Sequence, residues 1–255
     1  MRKILPGGRR RFIMFLAAAF SLSGMLLLFT GSAGENSEEL SGGTQIPILL
    51  YHSVSDDPIG IPILSVTTKD FDEQMSYLAS NGYTTYFVDE MDACSQDKKP
   101  VIITFDDGYV DNFTNAYPVL EKYKLKATIF VITKAIGSKG HLSAEQMEQM
   151  SDLVSFQSHT VDHVRMDRLN KAQIDYECGQ SQKDLNRITG KPVDTLSYPN
   201  GKFSANVLTT AQKYYQYAVT TLQGFNTPHS SRYKMKRTQI GRSDSLSVFI
   251  SRLQP

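Results

Sequence analysis

The chain has no surplus of charge of either sign: 27 lysines and arginines stand against 26 acidic residues, a formal net charge of +1. Outside the first eleven residues there is no basic cluster, which argues against a nucleic-acid partner. Cysteine is scarce. Cys94 and Cys178 are the only two and lie far apart in sequence, so free or buried thiols are expected rather than a disulfide framework. Neither adjoins the apolar run near the N-terminus, which excludes a lipid-modified cysteine just after it. There is no internal repeat, no tryptophan, and no histidine beyond His229. The last two absences bear on the chemistry considered below.

What is present begins with an export segment. Arg2, Lys3, Arg9, Arg10 and Arg11 precede an apolar run over residues 12–29, followed by a polar, small-residue stretch ending near Ala33 and Gly34. Residues 1–34 therefore read as a signal peptide or an N-terminal membrane anchor, because the run is long for the first and just long enough for the second. The basic flank places the N-terminus inside and the remainder outside the membrane, so an extracellular or cell-surface location is expected. Residues 35–45 hold little to bury and read as a flexible linker. Residues 46–255 suffice for one sizeable domain with a full core.

In that domain, short apolar runs alternate with longer amphipathic stretches, the pattern of parallel strands joined by helices. Strands are expected at 46–51, 83–88, 101–105, 127–132, 153–157, 195–198 and 217–220. Thr68 is expected to cap a helix that buries Phe71, Met75, Leu78 and Ala79 and stops at Asn81 and Gly82. Ser143 caps a short helix, residues 171–188 form a long one, and Pro118 kinks or delays a helix over 112–124. About seven such units suit a closed or nearly closed α/β barrel.

Two motifs carry the chemistry. Thr104-Phe105-Asp106-Asp107-Gly108 directly follows the apolar Val101-Ile102-Ile103, and His159-Thr160-Val161-Asp162-His163 lies about fifty residues later. Alone, Asp-Asp-Gly reads as a solvated turn, and a His pair four apart as two surface histidines. Together they sit at two strand ends, where carboxylates are costly to bury unless a cation or proton donors receive them. If 159–163 is a helical turn, both imidazoles share a face and reach one divalent ion, completed by an oxygen of Asp106 or Asp107.

These motifs, with Ser197-Tyr198-Pro199-Asn200-Gly201, resemble those of the polysaccharide deacetylases of the NodB-homology group, and the resemblance spans nearly all of the domain. It implies a distorted (β/α)7-type barrel and a hydrolase that removes acetyl groups from sugar polymers. It further implies a metal triad of Asp107, His159 and His163, with Asp106 as catalytic base and the Asn200 backbone N–H as oxyanion donor. The metal is expected to be Zn2+, with Co2+, Ni2+ and Mn2+ also suited to such a ligand set. The partner implied is an N-acetylated cell-surface polysaccharide, and the chain is expected to act as a monomer, held to the membrane if its N-terminal segment is uncleaved.

The sequence departs from the commoner pattern in two places. The C-terminal Leu-x-His that supplies the general acid is missing, and Leu50-Tyr51-His52 fits it instead, resembling a branch that includes deacetylases of exported poly-N-acetylglucosamine. His52 is therefore the expected acid. Ser197 stands where many relatives have an arginine that orients the catalytic aspartate, and the Asp-x-x-Asp-Trp element that partners it is also missing. Both gaps together read as a branch difference. Tyr51 and Tyr198 are candidates to stack on a sugar face, Asp162 is read as a helix-surface carboxylate, and His141 and His229 as solvated. The same metal chemistry would serve O-acetyl xylan or a small cyclic amide, and a glycan-binding module without turnover is the reading from another class.

Overall fold

The computed structural model describes residues 44–94 and 96–255; the export segment and nearly all of the expected linker lie outside them. Among the described residues, no helix is long and apolar enough to cross a membrane. The chain runs β1 (Ile48–Tyr51), α1 (Thr68–Ser80), β2 (Thr84–Tyr86), α2 (Met91–Cys94), β3 (Pro100–Phe105), α3 (Tyr117–Tyr123), β4 (Ala127–Val131) and α4 (Ala144–Gln149). It continues through β5 (Val154–Ser158), α5 (Lys171–Thr189), β6 (Thr195–Ser197), α6 (Ala205–Tyr214), β7 (Tyr217–Val219), β8 (Thr238–Gln239) and α7 (Leu246–Ser251).

Local chemistry sets the helix limits. Thr67, one residue before the expected cap, accepts the Asp70 N–H and starts α1, whose buried face is Phe71, Gln74, Met75 and Leu78. Ala79 is exposed, and Gln74 takes the fourth buried position instead. Ser143 with Gln146 and Asn170 with Gln173 form capping boxes on α4 and α5, and Gly190 ends α5 in the left-handed conformation. A π-type turn over Asn112–Ala116 runs directly into α3, and Pro118 falls just after this junction, in the first turn of α3.

The strands form one parallel sheet in the order β7-β6-β5-β4-β3-β1-β8, with β2 also paired to β3. Ile102 of β3 pairs with Ile48 of β1 and with Tyr86 of β2, so β2 lies on the β4 side of β3. There it wedges between the lower ends of β3 and β4, with the Lys126 N–H donating to Thr85 Oγ1. At the other end, the segment leading into β8 meets β7: Ala218 N–H donates to Arg232 O, Met235 N–H to Ala218 O, and Thr220 N–H to Met235 O. These bonds close the curl through irregular backbone, which gives a distorted barrel.

Two-residue alternation divides the strands between two cores. Outward positions such as Leu49, Tyr51, Ile103, Phe105, Phe156, Leu196 and Ala218 pack against the helices. Inward positions Ile48, Ile102, Phe130, Tyr217 and Val219, with Met235, fill the lower barrel. Cys94 and Cys178 belong to different cores and are free, as expected. Burial pushes both thiols up to about 12, so they are unreactive at neutral pH.

Candidate metal and acid–base site

The inward register of the strands, followed upward, builds the site. On β3 the series Ile102, Thr104, Asp106 brings Asp106 over the barrel interior, where it is buried. The chain then turns through two left-handed residues, Asp107 (φ 72°) and Gly108 (φ 70°). That turn lets adjacent carboxylates face one centre, which an extended strand would forbid. On β5 the series Ser155, Gln157, His159 does the same for His159.

Residues 159–163 do not form the helical turn expected from the spacing. Thr160 (φ 67°) and His163 (φ 56°) are both left-handed, and the segment is a tight loop. Glu177 of α5, itself buried, accepts the N–H groups of Val161 and Asp162 at 2.8 and 3.1 Å, while Thr160 Oγ1 accepts the His163 N–H. The result is the juxtaposition the helix would have provided, with the imidazole centroids 4.7 Å apart.

Asp107, His159 and His163 each offer a ligand atom, all within 4.8 Å of one another. Asp107 Oδ1 lies 3.5 Å from His159 Nε2 and 3.6 Å from His163 Nε2. These separations are too long for hydrogen bonds but close to the roughly 3.3 Å between ligands placed tetrahedrally about 2.0–2.1 Å from one ion. His159 Nδ1 lies 2.8 Å from Ser197 O. A carbonyl only accepts, so Nδ1 carries the proton and Nε2 turns a lone pair toward the cluster, the usual support of a metal-bound histidine. Burial lowers the His159 pKa and keeps the ring neutral, as ligation requires. The donor set therefore fits a divalent ion.

Asp106 is held by a residue the sequence did not disclose. Arg237, fully buried, donates from Nη1 to Asp106 Oδ1 at 2.7 Å and from Nη2 to Asp106 Oδ2 at 2.6 Å. Its other N–H groups go to Thr220 O, Thr104 Oγ1 and Ser197 Oγ, so all five guanidinium donors are engaged. Ser197 Oγ in turn donates to Asp106 Oδ2 at 3.2 Å. Burial would raise the Asp106 pKa, but the Arg237 guanidinium, by charge and by hydrogen bond, reverses this and holds the carboxyl well below the usual carboxylate range. The arginine absent at position 197 is thus supplied from the last strand, with Ser197 bridging the pair.

His52 follows Ile48 and Leu50 on the inward register of β1, beside Asp106, whose N–H donates to Tyr51 O. The ring is half-buried, and Nδ1 has no hydrogen-bond partner. Burial lowers its pKa against the opposing pull of Asp106 and Asp107. Its backbone is fixed from below: Asn112 Nδ2 donates to His52 O, and Asp111 accepts from Ser53 Oγ and the Val54 N–H. Asn200 is exposed and left-handed (φ 57°) in a turn where the N–H groups of Gly201 and Lys202 fold back on Tyr198 O and Pro199 O. A Cβ on Gly201 would meet Thr221 N at 2.7 Å, so this turn needs glycine.

His52, Asp106, Asp107, His159, His163 and Asn200 line one cavity of about 170 Å3, whose walls include Ile59, Ile61, Leu64, Tyr109, Thr221 and Gln239. A larger cavity of about 320 Å3 against α4 and the end of α5 contains none of the six.

The two tyrosines expected to stack on sugar lie elsewhere. Tyr51 and Tyr198 are fully buried on the outward register; Tyr51 Oη donates to Gln74 Oε1 between Phe71 and Phe105, and Tyr198 Oη donates to Tyr233 O. Alternation puts them on the opposite face from His52 and Ser197, so they are core residues. Asp162 is a loop residue paired with Lys134 at 2.6 Å. His229 is exposed as expected, but His141 is half-buried against the Tyr109 ring, 5.3 Å between centroids.

Comparison with known proteins gives a consistent set of relatives. A sequence model of the polysaccharide deacetylase family matches residues 94–219. The Bacillus subtilis protein YxkH, assigned to the polysaccharide deacetylases, is 40% identical over 212 residues, 80% of this chain and 75% of its own. A poly-beta-1,6-N-acetyl-D-glucosamine N-deacetylase of Staphylococcus epidermidis is 31% identical over 73% of this chain and 71% of its own. Among solved structures, a polysaccharide deacetylase of Bacillus cereus superposes with a TM-score of 0.79 at 33% identity, covering 83% of this chain and 69% of that one. The Streptococcus pyogenes deacetylase PplD, in complex with acetate, gives 0.78 at 29% identity over 84% of this chain and all of its own.

Proposed function

The chain belongs to the polysaccharide deacetylase family, and from that premise we propose that it removes N-acetyl groups from an N-acetylglucosamine-containing polysaccharide, peptidoglycan or secreted poly-N-acetylglucosamine, outside the membrane. The observation that carries this reading is the separation of roles between adjacent carboxylates. Asp107 faces the Nε2 atoms of two imidazoles, whereas Asp106 is clamped by Arg237 and kept ionised beside the same cavity. A glycan-binding surface would need neither arrangement. The name of the Staphylococcus epidermidis relative favours the amide of N-acetylglucosamine over an ester as the bond attacked.

Asp107, His159 and His163 would hold the ion, with zinc favoured by the two-histidine, one-carboxylate set. Such an ion supplies Lewis acidity toward a carbonyl oxygen and a water molecule. Asp106 accepts the proton of the water that attacks the acetyl carbon, and Arg237 and Ser197 fix the carboxylate while it does so. The Asn200 N–H donates to the oxygen that gains negative charge. His52 gives its proton to the nitrogen as the carbon–nitrogen bond breaks, so acetate and a free amine leave. Residues 1–34 act as signal peptide or membrane anchor, residues 35–45 as a flexible linker and residues 46–255 as the catalytic domain; a basic flank ahead of an apolar run supports the first assignment.

Acetate release from N-acetylglucosamine oligomers, peptidoglycan fragments and acetylated xylan, with and without chelator and added zinc, tests the proposal. Release from a glucosamine substrate that the chelator stops and zinc restores is expected. Release from xylan alone, or none from any substrate by folded, zinc-loaded protein, would overturn it.

A further inference from the structure

The three groups that would hold the ion are fixed unequally. His159 is set by the end of β5 and by the bond between its Nδ1 and Ser197 O, and Asp107 by the turn that ends β3. The His163 imidazole is 33% exposed and forms no hydrogen bond among the described residues. Its place depends on the backbone of residues 160–163, and that backbone is strained. Thr160 and His163 are both left-handed, and Thr160 is β-branched. Such conformations persist only where the surroundings over-determine them.

All four N–H groups of residues 160–163 go to side-chain oxygens. Ser158 Oγ accepts from Thr160, Glu177 Oε2 from both Val161 and Asp162, and Thr160 Oγ1 from His163. Ser158 and Thr160 are local, so Glu177 of α5 is the one acceptor of the four that ties these N–H groups to a distant element. On the opposite side the Thr133 and Lys134 N–H groups donate to Thr160 O and Val161 O, and Lys134 Nζ pairs with Asp162 at 2.6 Å. Glu177 is only 4% exposed and has no ion-pair partner among the described residues, so the two loop N–H groups receive its charge. A carboxylate buried without a cation is costly, and bonds from N–H groups to it are stronger than those to a neutral acceptor. Glu177 is not among the walls of the cavity that holds His163, so its route to the site is the loop backbone.

We infer that Glu177 is a positioning residue for the ion: by holding the Val161 and Asp162 N–H groups it places His163, and so sets the affinity of the site for zinc. This rests on the metal site of the proposed deacetylase. Glu177 touches neither ion nor substrate, and what matters is an acceptor oxygen at the right reach, not its negative charge.

The test is zinc affinity by calorimetry on the metal-free full chain and on Glu177→Gln, Glu177→Asp and Glu177→Met. Glutamine keeps the acceptor and loses the charge, aspartate keeps the charge and loses the reach, and methionine keeps the volume alone. Glu177→Gln is expected to bind zinc as the wild type does, whereas Glu177→Asp and Glu177→Met should each bind about 10–100-fold more weakly, the usual cost of losing the support of a metal-bound histidine. In a His163→Ala background, where the ligand that Glu177 places is gone, Glu177→Met should cost nothing further. Wild-type affinity in Glu177→Asp and Glu177→Met would overturn the inference. So would a Glu177→Gln as weak as Glu177→Met, which would make charge the cause, or an undiminished loss in the His163→Ala background, the mark of a merely structural role. A wild type that binds no zinc removes the metal site and the inference with it. A wild type that binds zinc with this pattern across the variants but releases no acetate removes the deacetylase reading and leaves the role of Glu177 standing.

Discussion

Asp106 and His52 stand side by side at the tops of β3 and β1, on the same inward register, yet the fold treats them in opposite ways. Asp106 receives two N–H groups of Arg237 and the Ser197 hydroxyl, and its charge is fixed before any substrate arrives. His52 is anchored only through its backbone; its Nδ1 has no partner, and burial disfavours its cation. In the proposed mechanism the difference matches what each group would be asked to do. A base that must be ionised and aimed is served by a rigid, charged clamp. An acid must hold its proton until the amine departs and then release it, and here Asp106 and Asp107 favour the His52 cation while burial opposes it.

The comparison can be broken at either end. The largest effect is expected from Asp106→Asn, which keeps the side chain's shape but cannot take a proton. Turnover should fall by about 10²–10⁴, the usual worth of a positioned base, while zinc binding measured by calorimetry persists. His52→Ala should lose about 10² in turnover with metal affinity unchanged; equal turnover would remove its role as the acid.

Arg237→Gln attacks the clamp itself. Leaving the buried Asp106 carboxylate uncompensated should cost about 3–5 kcal/mol in urea unfolding at neutral pH. The sign of its pH dependence is set by the lowered pKa of Asp106. The pair's contribution is fully present above the unfolded carboxylate value, about 3.9, and fades as pH falls below that toward the folded value. The stability gap between wild type and variant should therefore narrow below about pH 4. A gap that widens there would contradict the clamp. Smallest of all, Tyr51→Phe should cost about 1 kcal/mol through the lost bond to Gln74 and leave turnover unchanged, since the side chain is on the outer face.

Much of this arrangement is legible in the sequence where the signal is local. The strand that ends in Asp106 announces itself as an apolar run, and the caps of α4 and α5 as Ser143 and Asn170 with glutamines three residues on. The contents of the cavity were largely readable too, since Asp107, His159, His163, His52 and Asn200 all meet there. What escaped depends on distance or on unusual backbone. Arg237 meets Asp106 from 131 residues away, just before a strand only two residues long that no apolar run marks. The histidine loop hides two left-handed non-glycine residues, stabilised by Glu177, which no spacing rule foresees. The outward placement of Tyr51 and Tyr198 needs no long-range information. Once His52 and Ser197 are assigned to the interior, two-residue alternation sends their neighbours outward.

In the proposed mechanism neighbouring carboxylates divide the labour, Asp107 to the ion and Asp106 to the proton. Zinc affinity and acetate release measured together on Asp107→Asn and Asp106→Asn test it most directly. Asp107→Asn is expected to lose both, whereas Asp106→Asn should bind zinc as the wild type does and lose release alone. Wild-type zinc affinity in Asp107→Asn, or its loss in Asp106→Asn, would contradict it.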